Sequence, residues 1–198
     1  MSNFWETEYK ECLSLLKYYD ERHQSLVKFA AGLSSAIPSL LMSIYGLKNI
    51  NQNIFWNFTL LISGLTALGL LTIFAVMVQN RLYFVYPTRQ VNALRKHFLS
   101  EDGNKFNQNQ MYLSTTFNAF KLLSTQTLLN LFVCLQIGLF IAISRFSYSF
   151  DGTEVDLLIE KSVCYGVITS LVIFIVASLY LHAESKKHPD NSVHRQTP

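Results

Sequence analysis

Four stretches of this sequence carry no Asp, Glu, Lys, Arg or His, and they confine the chain to very few kinds of fold. The first, Phe29 to Leu47, is bounded by Lys28 and Lys48. As an α-helix it spans about 28 Å, enough to cross the hydrocarbon core of a bilayer. The second, Ile54 to Val78, is the longest and must tilt or protrude. Leu122 to Ser144 and Ser162 to Leu181 follow, flanked by Lys121 and Arg145 and by Lys161 and His182. Together they are too much apolar helix to bury inside 198 residues without lipid, since core helices of a soluble protein keep a polar stripe. Charged residues are 15% of the chain, against about 25% in an average soluble protein, and apolar residues are 50%. A disordered chain, a collagen-like repeat and a small disulfide scaffold are excluded. The fold class expected is an all-α integral membrane protein with four transmembrane helices and amphipathic cytoplasmic helices.

Cytoplasmic segments retain Lys and Arg, which sets the orientation. The arm, residues 1–28, holds four, and the connection 79–121 holds six: Arg81, Arg89, Arg95, Lys96, Lys105 and Lys121. The tail, residues 182–198, adds three. The hairpins have only Lys48 (residues 48–53) and Arg145 with Lys161 (residues 145–161), so both termini are expected in the cytoplasm and both hairpins outside. Spans 29–47, 54–78, 122–144 and 162–181 alternate between them. Aromatics at the expected boundaries, Phe55 and Trp56 on one side and Tyr83, Phe84 and Tyr86 on the other, suit an interfacial belt. The arm lacks the apolar stretch of a signal peptide, so the first span acts as its own signal anchor. Cys12, Cys134 and Cys164 have neither zinc-site nor disulfide spacing and read as packing residues.

In the arm, Trp5, Tyr9, Cys12, Leu13, Leu16 and Tyr19 recur at spacings of three and four, with charges elsewhere, which predicts an amphipathic helix. Lacking Pro and Gly before Gly32, it runs into the first span as one rod. Its stripe packs on the cytoplasmic connection, lies along the membrane or docks a partner. Pro87 predicts a kink or break after the second span and is the candidate hinge. Beyond it Val91, Leu94 and Phe98 form a stripe flanked by Arg89, Arg95 and Lys96; with Arg81 these are the candidate contacts to anionic lipid or to a partner. Residues 101–105 read as a turn, and a further helix is expected from Asn109 into the third span. The tail from Glu184 reads as disordered.

Enzymatic motifs are missing: no phosphate-binding glycine loop, no Gly-x-Ser-x-Gly, no His-Glu-x-x-His. The expectation is a non-enzyme without cofactor or metal. Arg89, Arg95 and His97 do not have the spacing of a small helical ribonuclease, and the diluted basic face makes no convincing nucleic-acid site. With no Asp, Glu, Lys, Arg or His inside the spans, proton relays, ion-coupled transporters and voltage sensors are disfavoured. Neutral residues remain there. Ala31, Ser35, Ser39 and Ser43 stand four apart, with Gly32 and Ala36 beside them; the second span has Asn57, Ser63, Gly64, Ala67 and Gly69, and the third has Gln126, Asn130 and Gln136. Such residues let helices approach and hydrogen-bond, or they line a wet path in an oligomer. Ser35, Ser39, Ser43, Asn57, Gln126 and Asn130 are the candidate interface or pore-lining residues. Four helices alone pack a dry bundle, so conduction requires several chains.

The layout is a charged arm, two spans, a basic stretch of the type Arg81-Leu-Tyr-Phe-Val-Tyr with Arg89-Gln-Val-Asn-Ala-Leu-Arg95, and two further spans. It resembles small multi-pass proteins of bacterial antiviral defence loci, namely the transmembrane effectors of some retrons and the four-span accessory proteins of type VI-B CRISPR loci. The resemblance implies an oligomeric effector of the bacterial inner membrane. Partners would hold it silent, a reverse transcriptase with its RNA-DNA product or a CRISPR effector, until infection releases it to permeabilise the membrane. It implies no catalytic residue. A non-conducting anchor or scaffold for a cytoplasmic partner, and a small channel or transporter subunit, are the alternatives.

Overall fold

The computed structural model describes residues 2–46, 51–101, 119–150 and 155–187, and the regular elements among them are four helices. These are α1 (Ser2–Tyr45), α2 (Gln52–Glu101), α3 (Thr125–Ser149) and α4 (Val155–Lys187). All four are long and apolar enough to cross a bilayer, by length and composition.

The arm and the first apolar run are indeed one rod, because neither Gly nor Pro precedes Gly32 to interrupt the helix. Pro38 sits inside it and withholds one N–H from the carbonyl of Ser34. Asn51 caps α2: its Oδ1 accepts from Asn53 N at 2.9 Å and its carbonyl from Phe55 N at 3.0 Å. The helix does not end at Pro87. It continues to Glu101, with Pro87 buried and Thr88 Oγ1 donating to the Phe84 carbonyl at 2.8 Å. Packing on both sides of the proline outweighs the single backbone bond it removes.

The helix expected from Asn109 into the third span is corrected in part. Residues 109–118 lie outside those described, but 119–124 are not helical and α3 begins at Thr125. Ser124 is the reason. Its Oγ accepts from Thr127 N at 3.2 Å in an N-cap, while the Ala119 carbonyl accepts instead from Arg81 Nε at 2.7 Å. Helix α3 then passes Arg145 to reach Ser149, and α4 includes Glu184 to Lys187 of the segment expected to be disordered. Most of the expected turn at 101–105, and residues 48–50, 151–154 and 188–198 of the hairpins and tail, lie outside the described residues.

The chain divides into two compact units. Unit 2 comprises the described residues of Ser25–Met77 and Leu122–Ala177. Helix α3 is its most enclosed element, with 50% of its apolar stretch buried against 17% for α1 and α4. Helices α3 and α4 cross closely at Gly138 and Gly166. A Cβ on Gly138 would run into Ser170 Oγ and the Gly166 backbone, and one on Gly166 would lie 2.9 Å from Ala142 Cβ. Ser162, Gly166 and Ser170, one turn apart, form the buried stripe of α4. Between α2 and α3, Ser63 Oγ and Ser144 Oγ hydrogen-bond at 2.8 Å. Further along the same pair of helices Trp56 packs on Phe146 and Phe150, with ring centroids 5.4 and 4.5 Å apart. The outward side chains of unit 2 are largely apolar, among them Phe29, Met42, Ile54, Leu68, Ile168 and Val176.

Unit 1 comprises the described residues of Met1–Gln24, Val78–Lys121 and Ser178–Pro198. Its first half of α1 and second half of α2 lie antiparallel. Trp5 meets His97 (5.6 Å between centroids), Tyr9 meets Phe98 (6.4 Å), and Tyr19 stacks on Tyr83 (6.3 Å).

The crossing at Gly138 leaves no room for a methyl group. Gly138→Ala is expected to cost about 1–3 kcal/mol by overpacking. Gly69→Ala, whose Cβ meets open space, should be neutral or stabilising by up to about 1 kcal/mol. Thermal unfolding of both variants by circular dichroism checks the contrast.

Candidate functional site

The polar residues of unit 1 line the contact between arm and α2. Asn80 Nδ2 donates to the Tyr19 carbonyl at 2.8 Å, Arg95 Nε donates to Tyr9 Oη at 3.1 Å, and Gln90 Nε2 donates to Glu8 Oε1. Arg81 and Arg89 are buried, at 5% and 2% exposure, and so are Asn80, Asn92 and His23. Arg81 is fixed by the Ala119 carbonyl and lies 5.2 Å over the Phe84 ring. Burial pushes its guanidinium down to about 10, an effect that Asp20 partly offsets, so it remains charged at neutral pH. Burial also lowers Arg89. Of the four basic candidates, only Lys96 is exposed; Arg95 is half-buried. In the packed unit Lys96 is left at the surface, and Arg81 and Arg89 hold the interior.

The exposed ion pairs of the arm, Lys10 with Glu6 at 2.7 Å and Lys17 with Glu21 at 3.8 Å, add little to stability. The Lys10 ammonium does lower the Glu6 carboxyl. Among the described residues no group of three or more His, Cys, Asp and Glu side chains is placed to hold a metal ion.

In unit 2 the candidates fall on two surfaces. Ser35, Ser39 and Ser43 are exposed, and each hydroxyl bonds its own helix, to the carbonyls of Gly32 (3.0 Å), Ser35 (2.9 Å) and Ser39 (2.8 Å). Asn57 is exposed on α2. Asn130 is buried and Gln126, one turn before it, half-buried. The Oδ1 of Asn130, Oε1 of Gln136, Oγ1 of Thr59 and Oγ of Ser162 are buried without a hydrogen-bond partner among the described residues. A buried polar atom left this way costs on the order of 1–3 kcal/mol. The structure thus does not gather the six polar candidates on one face.

The sequence pointed to the serine spacing of α1, but the same spacing at Ser162, Gly166 and Ser170 makes the close crossing, and it was open to the same argument. His23 was also passed over. It follows Tyr19 by one turn in the series 5, 9, 12, 16, 19 and so falls on the buried side of the arm.

Compared with known proteins, the chain matches no protein-family model, no curated protein and no solved structure.

Cys12 is buried in unit 1, its Sγ 3.9 Å from Glu8 Oε1, and burial followed by the charge of Glu8 pushes the thiol up to about 11. Because the thiolate is the nucleophile, alkylation of Cys12 at pH 8 should run at least about 100-fold slower in the folded chain than after denaturation. Peptide mass spectrometry after iodoacetamide treatment measures the ratio.

Proposed function

We propose that the four helices cross the bacterial inner membrane with both termini in the cytoplasm, and that the chain is a membrane-disrupting effector of an antiphage defence locus. The observation that carries the membrane part is the outward surface of unit 2, where large apolar side chains on α1, α2, α3 and α4 are exposed over the apolar runs. Such a surface in water would aggregate; in lipid it is solvated. Unit 1 collects most of the Lys and Arg, and this charge asymmetry supports a cytoplasmic location for it. There its amphipathic arm lies on the basic half of α2.

The defence part rests on the resemblance in layout and in the stretch Arg81 to Arg95. On this reading a reverse transcriptase with its RNA-DNA product, or a CRISPR effector, holds the protein silent, and infection releases it to oligomerise and depolarise the membrane. No catalytic residue is required. The exposed serines of α1 are available to line a path between copies, whereas Asn130 belongs to the interior of one copy. A non-conducting scaffold is the second reading, favoured by the packed, charge-containing core of unit 1, which offers a rigid platform for a partner.

Two experiments test these parts separately. In a cysteine-free background, Asn51→Cys and Asp156→Cys should react with a membrane-impermeant maleimide on intact cells, and Lys96→Cys only after lysis. Equal labelling of all three on intact cells contradicts the topology. Expression of the chain alone should depolarise cells, read with a voltage-sensitive dye, and co-expression with its genomic neighbours should suppress the effect. Ser39→Leu should abolish depolarisation without affecting insertion. An unchanged potential in every case, with the protein inserted, supports the scaffold instead.

A further inference from the structure

His23 is the one histidine of unit 1, among the described residues, with its side chain closed off from solvent, at 1% exposure, and neither ring nitrogen has a hydrogen-bond partner among those residues. A neutral imidazole has a donor and an acceptor to satisfy, so this placement is costly, and it becomes far costlier once the ring is charged. The charges acting on it come from both helices of the arm contact. Arg81 of α2 opposes its protonation, and Asp20, one turn earlier on α1, favours it. Arg81 is anchored to the Ala119 carbonyl, and its neighbour Asn80 is anchored to the Tyr19 carbonyl, so neither is free to swing away from the arm. A second cation at this point has one acid against a fixed guanidinium and is shut away from solvent.

We propose that His23 is a proton-sensitive latch: protonation of its imidazole beside Arg81 releases the arm, residues 2–24, from the second half of α2. The contacts that would open are those of Tyr19 with Tyr83, Gln90 with Glu8, Arg95 with Tyr9 and Trp5 with His97. All lie within unit 1, so the latch does not depend on the membrane or defence readings.

Burial, followed by Arg81, pushes the folded imidazole down to about 4 from 6.5. With a depressed value, the closed form excludes a proton that the open form binds. The latch is therefore at full strength above pH 6.5 and weakens as the pH falls toward 4. Between pH 7.5 and pH 5 the closed-to-open ratio should drop about thirtyfold, a window that stops above the ordinary carboxylate range.

Amide hydrogen exchange on the full-length chain, corrected for the intrinsic pH dependence, reads this ratio directly as protection of the arm amides. The expected result is a drop of about thirtyfold in arm protection between pH 7.5 and 5. His23→Gln should abolish this drop, and His97→Gln, which removes the other imidazole at the arm contact, should leave it in place. An equal pH dependence in wild type and His23→Gln overturns the proposal. Should His23→Gln fail to fold, imidazole NMR of the wild-type chain decides: a His23 ring neutral down to pH 5 supports the latch, and one titrating near 6.5 with the arm still protected overturns it.

Discussion

Unit 2 depends on how closely α3 can approach its neighbours. Helix α3 is enclosed, and its approach to α4 is set by two glycines, Gly138 and Gly166, with Ala142, Ser162 and Ser170 around them. Each is small enough to bring the backbones near contact, and the hydroxyl of Ser170 is satisfied by the Gly166 carbonyl of its own helix at 2.8 Å. Water supplies no drive between helices surrounded by lipid, so on the proposed membrane reading this close dispersion contact, with the Ser63–Ser144 hydrogen bond, is what holds the bundle together. The apolar residues on the outside are then left for lipid.

Unit 1 is built on different physics. Its interior contains Asn80, Arg81, Arg89, Asn92 and His23 among Cys12, Val85, Val91 and Leu94. A buried charge destabilises unless hydrogen-bonded, and Arg81 meets that demand through the Ala119 carbonyl. Such a core joins named polar groups of arm and α2, Asn80 to the Tyr19 carbonyl and Arg95 to Tyr9. It also makes the pairing sensitive to any added charge, which is where His23 matters.

The helices were legible in the sequence because long uncharged apolar runs admit little else, and the continuity of arm and first span followed from the absence of Gly and Pro. The misjudged points each involve a contact overriding a local rule. Pro87 signals a kink or break, and the break does not occur, since α2 runs through it. The beginning of α3 was set by Ser124, a cap visible in the sequence but hidden inside an apolar run. Spacing alone could not say that Ser35, Ser39 and Ser43 face outward while Ser162, Gly166 and Ser170 face inward, since the pattern is the same and only the neighbour differs. Arg81 and Arg89 look like surface charges by type, and Arg81 is held inside by a carbonyl distant in the sequence, that of Ala119.

The central claim is that the exposed apolar surface of unit 2 is solvated by lipid while the exposed surface of unit 1 is solvated by water. Spin labels at Phe29, Leu68 and Val176, compared with labels at Glu11 and Lys96, test it in reconstituted bilayers through relaxation by oxygen and by a water-soluble nickel complex. The account predicts strong oxygen and weak nickel relaxation at the first three positions and the reverse at the last two. Nickel reaching Phe29, Leu68 and Val176 as readily as Glu11 and Lys96 would contradict it.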